Sequence, residues 1–139
     1  MKLWTAVLAY ILAQLLLLDA PALAQIDPAK VLVGQWEGQV EVPRDQERIL
    51  TINSVAPKDG GWVAEGRFGI PPAKGQPVTI NISSQDGKLV LEFEATGHMH
   101  NPWHLTLVNE TQLEGTGNFV VGRKAVDRRA KFQKKAEQK

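Results

Sequence analysis

Three histidines fall within seven residues: His98, His100 and His104, in the spacing His-x-His-x3-His. On a strand, residues two apart share a face, so His98 and His100 would present two imidazoles side by side, a workable start for zinc or copper. His104 has the same parity. The cupin metal motif would need a Glu shortly after the second His, and residues 103–106 read Trp-His-Leu-Thr instead. Trp103, Leu105 and Leu107 alternate with His104, which puts His104 on the wet face if the apolar set is inward. The other reading of the segment is a polar rim loop.

Other catalytic patterns are weaker. Glu92 and Glu94 share a strand face, but that face reads as solvent, which disfavours a glycosidase pair. Ser54, Ser83 and Ser84 lie in strand or turn contexts without a Gly-x-Ser-x-Gly elbow. No glycine-rich phosphate loop is present. Asn81 and Asn109 open glycosylation sequons, which carry meaning only in a glycosylating host. The expectation is a non-enzyme without a cofactor.

Aromatic residues give the remaining signal. Trp62, Phe68, Phe93, Trp103 and Phe119 all fall on apolar parity, among the small residues Ala64, Gly66, Ala95, Gly115 and Gly117. Two outcomes stay open. The small residues open a cup walled by Trp62, Phe68, Phe93 and Trp103, or they permit strand coiling around a filled core.

The elements that must position these side chains are short strands. The clearest runs from Gly34 to about Val42: Gly34, Trp36, Gly38, Val40 and Val42 face one way, and Gln35, Glu37, Gln39 and Glu41 the other. Asp27 and Pro28 open a single helical turn just before it. Strand two covers roughly 47–55 with mixed parity, Ile49 and Val55 against Leu50 and Ile52. Strand three carries Trp62, Ala64, Gly66, Phe68 and Ile70 inward, and strand four Val78, Ile80 and Ile82. Strand five follows with Leu89, Leu91, Phe93 and Ala95, strand six with Trp103, Leu105 and Leu107, and strand seven with Leu113 to Val121. Strand eight holds Val126, Arg128, Ala130 and Phe132. Asp59-Gly60 and Asp86-Gly87 supply the positive φ of tight hairpins. Eight sequential strands without crossover helices predict an all-β, antiparallel, up-and-down barrel, closed to hide its edges.

Met1-Lys2, the apolar run Leu3–Leu18 and the small residues of Ala22-Leu23-Ala24 predict a secretory signal peptide over residues 1–24, with an uncleaved anchor as the alternative. Of 139 residues, removing 24 leaves 115, one domain expected over 25–133 with a basic disordered tail at 134–139. Without cysteine no disulfide can form, and export places the chain in a periplasm or outside the cell. No transmembrane segment is expected after cleavage. The formal charge of +1 is uneven: from Arg123 to Lys139 eight Lys or Arg stand against two acids, a net of +6, so the rest nets −5. A basic end suits an envelope polyanion, and no nucleic acid is expected.

A short helical turn, then Gly34-x-Trp36 on the first strand, then an Arg on the last of eight strands resembles the calycin group of lipocalin-like and avidin-like barrels, in the form of a small bacterial secreted β-barrel. The resemblance covers nearly all of residues 25–133 as architecture and only Gly34, Trp36 and Arg128 as motif. It implies that Trp36 sits at the closed end and that Arg128 packs across it. No biotin-site pattern accompanies it. The expected function is an exported, non-catalytic module holding a small apolar or amphipathic ligand in the barrel. The alternatives are a surface protein binding a polyanion through its basic last strand and tail, and a metal-binding protein or enzyme acting through His98, His100 and His104.

Overall fold

A computed structural model describes residues 27–41, 46–73, 75–95, 102–121 and 123–136. The predicted signal peptide, His98 and His100 lie outside these residues. One short helix, α1 (Pro28–Leu32), precedes eight strands: β1 (Gly34–Val40), β2 (Gln46–Lys58), β3 (Gly61–Gly69), β4 (Gln76–Gln85), β5 (Lys88–Glu94), β6 (Pro102–Asn109), β7 (Gln112–Val121) and β8 (Lys124–Lys134). Each strand pairs antiparallel with the next, and β1 pairs with β8 to close the barrel. The closing register sets Trp36 beside Lys134, Gly38 beside Phe132 and Val40 beside Ala130.

The two ends differ. Tight turns with positive φ at Asp59, Gly60, Asp86 and Gly87 lie at the same end as α1. The longer β1–β2, β3–β4 and β5–β6 connections lie at the other, called here the loop-bearing end. Asp27 caps α1, its Oδ1 accepting from the Ala29 amide at 3.1 Å. A helix leaves its last carbonyls without partners. Here the Trp36 indole donates to the Leu32 carbonyl at 2.9 Å and the Lys134 ammonium to the Val31 carbonyl at 2.6 Å. The single turn is thus bolted over the barrel mouth at its carbonyl end, where a cation is also favoured.

β2 explains its own mixed parity. Leu50 and Ile52 are buried, then the register with β3 shifts between Ile52 and Ser54, and Val55 becomes the next residue packed on the core. An extra residue in a bulge flips the alternation. The strand also starts one residue earlier and ends three later than the sequence suggests, at Gln46 and Lys58. Ile70, read as inward, lies beyond the end of β3 and is 58 % exposed. At the C-terminus, ordering passes the predicted start of the tail. β8 includes Lys134, and the Lys135 amide donates to the Gln35 carbonyl at 2.8 Å.

The interior is filled. The glycines on the apolar face do not open a cup: a Cβ on Gly66 would meet the Thr51 carbonyl oxygen at 2.1 Å, and on Gly115 the His104 carbonyl oxygen at 1.9 Å. These two positions let neighbouring strands coil closely. Gly38 and Gly117 instead receive rings, since a Cβ would lie 2.4 Å from Phe132 and 2.8 Å from Trp103. Removing the side chain from the sheet makes room for the aromatic plane above it.

Candidate functional site

Phe68, Phe93 and Trp103 come together as expected, and Phe119 and Phe132 join them. Trp103 is the hub: its ring centroid lies 4.7 Å from Phe68, 5.5 Å from Phe119, 6.1 Å from Phe93 and 6.2 Å from Phe132. The Phe93 and Trp103 planes are 4° apart, while Phe119 meets Trp103 edge-on at 77°. Trp62 is not part of this group. It pairs with Ile82, near the α1 end, and is only half-buried. Parity had given its face correctly but not its level along the barrel.

The cation across Trp36 is Lys134, not Arg128. Lys134 Nζ stands 5.7 Å from the Trp36 ring centroid, a favourable cation–π placement. Arg128 is six residues earlier on β8, about 20 Å along the strand, and beside Gly117 at the loop-bearing end. Trp36 itself is fully buried at the closed end, where the resemblance places it, next to Gly34. Gly34 has φ +139°, a backbone that side-chain-bearing residues rarely adopt.

Arg128 has company that the sequence reading missed. Arg48 shares parity with Leu50 and Ile52 and is 8 % exposed, with its guanidinium carbon 5.8 Å from the Phe119 ring centroid. Its Nη1 donates to the Glu47 carbonyl at 2.9 Å and its Nη2 to Gln46 Oε1 at 2.9 Å. Both acceptors are neutral. Burial alone holds the Arg48 pKa below the usual arginine value. Neither Arg48 nor Arg128 forms an ion pair with a carboxylate among the described residues.

Two buried side-chain donors at this end have no hydrogen-bond partner among the described residues: Trp103 Nε1 and Arg128 Nε. They are neighbours. Trp103 pairs with Gly117 across β6 and β7, and Gly117 pairs with Arg128 across β7 and β8, so the three form one lateral row on the inner face. Leaving such a donor buried and unpaired costs about 1–3 kcal/mol each. Native structures rarely carry two side by side without a reason.

His104 sits on the outer face, as its parity predicts, with Nδ1 3.2 Å from Glu92 Oε1 on the adjacent strand. No group of three metal-competent side chains occurs among the described residues. Three residues of the basic end turn to the barrel or its surface acids: Arg128 points inward, Lys134 caps α1, and Lys135 lies 3.5 Å from Glu37. A surface hollow of about 610 Å³ lined by β1, β2, β7 and β8 sets Arg48, Lys131, Lys134 and Lys135 beside Glu37, Glu47 and Glu114, so neither sign dominates there.

The class that fold and site define is a closed eight-stranded antiparallel barrel, plugged by a helical turn at one end and carrying two inward arginines at the other. No family model matches the chain, and no curated protein matches it. No helix among the described residues is long and apolar enough to cross a membrane.

Proposed function

We propose that this chain is an exported, non-catalytic binding barrel of calycin-like kind that takes a small amphipathic ligand at its loop-bearing end. The observation that carries the reading is the pair of buried, unpartnered donors, Trp103 Nε1 and Arg128 Nε, set against aromatic walls. A site of this make-up suits a ligand with an apolar body and a polar group that accepts hydrogen bonds. The deep interior is occupied by rings, so the ligand lies shallow, against Phe119 and Trp103, rather than in a deep cup. Trp36, Lys134 and α1 close the opposite end and support calycin kinship, with Lys134 in the place that the resemblance gave to an Arg. Export rests on the leader-like residues 1–24.

Native mass spectrometry of the protein purified from its own host tests this reading. The expected spectrum shows an added small-molecule mass that leaves on denaturation. A protein that arrives without added mass and binds no amphiphile in solution would sink the reading.

A further inference from the structure

We infer that the ligand's polar group is an oxyanion, held between Arg48, Arg128 and Trp103 beside the Phe119 ring. The inference rests on the binding-barrel reading above and adds the chemistry of the head group.

Three observations converge on it. Arg48 is a cation only 8 % exposed whose hydrogen-bond partners among the described residues are a backbone carbonyl and an amide oxygen. A buried charge that lacks a counter-charge is costly, and an opposite charge offsets part of that cost. Arg128 presents a second guanidinium, with Nε buried and unpaired. Trp103, 1 % exposed, presents a neutral N–H, also unpaired among the described residues, two strands from Arg128 across Gly117. Among the described inward side chains at this end the two charges, Arg48 and Arg128, are both positive.

Placement makes these donors one site. Phe119 links them: the Arg48 guanidinium lies 5.8 Å from its centroid, and Trp103 5.5 Å. Arg128 and Phe119 occupy adjacent inward positions of the β7–β8 ladder, in the pairs Gly117–Arg128 and Phe119–Val126. Gly117 keeps the row between Trp103 and Arg128 free of a side chain other than the indole it carries. A neutral alcohol or amide could accept from an unpaired donor but would bring no opposite charge to either guanidinium. A carboxylate or similar oxyanion has lone pairs for all three donors, and guanidinium forks match its planar geometry. Since Phe68, Phe93 and Phe132 fill the space behind Trp103, the body is small and flat or short. The class of ligand is therefore a small amphipathic organic acid.

The test uses two fluorescent probes with one aromatic body: anilinonaphthalene sulfonate, which carries an oxyanion, and N-phenylnaphthylamine, which does not. The wild-type protein is expected to bind the sulfonate at least about tenfold more tightly, the scale of one charge-assisted hydrogen bond. Arg48→Gln and Arg128→Gln should each remove that preference, while Arg129→Gln on the outer face should leave it intact. Benzoate should displace the sulfonate and benzyl alcohol should not. Equal affinity for both probes would overturn the oxyanion assignment while leaving the binding barrel standing. Binding of neither probe would remove both. Displacement by inorganic phosphate as effective as by benzoate would overturn the organic-acid assignment in favour of a bare anion site. Each variant's thermal transition, measured alongside, separates lost binding from lost folding.

Discussion

Trp36→Ala is expected to cost about 3–5 kcal/mol, the range for emptying a fully buried large aromatic position. The residue is 0 % exposed, and three things end with it: the ring beneath Lys134, the donor to the Leu32 carbonyl, and the packing of α1 on the barrel. Lys134 would keep its bond to Val31 but lose the ring it stands over. A domain of this size has about 5–15 kcal/mol in total, so the variant should unfold at much lower denaturant. Chemical unfolding checks it: the midpoint should fall with the slope unchanged. Trp62→Ala, at a half-buried site, should cost clearly less. Equal losses from the two would show that α1 and Trp36 do not close the barrel as described.

Trp103→Ala should be of similar size, about 3–5 kcal/mol, because four rings pack on the indole and the indole itself covers Gly117. Trp103→Phe provides the contrast. It keeps a ring over Gly117 and removes the unpaired N–H, whose burial costs about 1–3 kcal/mol, so much of the lost packing is offset. Unfolding midpoints of the two variants should therefore lie well apart. If phenylalanine proves as damaging as alanine, the indole N–H has a structural partner and the ligand site loses one of its donors.

Much of the barrel was legible because one face of each strand is apolar, and a period of two is easily read in β1, β4, β5 and β6. The Asp-Gly turns showed where the chain reverses. Where the alternation broke, information was lost. The bulge after Ile52 made β2 read as two-sided, and that hid Arg48, although its shared parity with Leu50 and Ile52 was the available signal. Level along the barrel was also out of reach. Arg128 and Lys134 are both inward on β8, and which of them crosses Trp36 depends on the stagger at which β1 and β8 close, a property of the whole sheet. Trp62 failed for the same reason. The small residues were ambiguous because a glycine can signal a vacancy, a close strand or a seat for a ring, and only neighbouring atoms tell these apart. The donors at the loop-bearing end were invisible in sequence because being unpartnered is a relation between strands.

On the proposed reading, the inward arginines of the loop-bearing end serve a ligand and not the fold. Thermal unfolding of the wild-type protein and Arg128→Met, each with and without benzoate, tests it most directly. Methionine keeps much of the apolar stem and removes a buried unpaired donor, so the variant alone should be more stable by about 1–3 kcal/mol, several degrees in Tm. Benzoate should raise the Tm of the wild-type protein and leave that of the variant unmoved, since only a ligand bound to the folded state stabilises it. A variant that melts lower than the wild-type protein, or one that benzoate stabilises equally, would contradict the account.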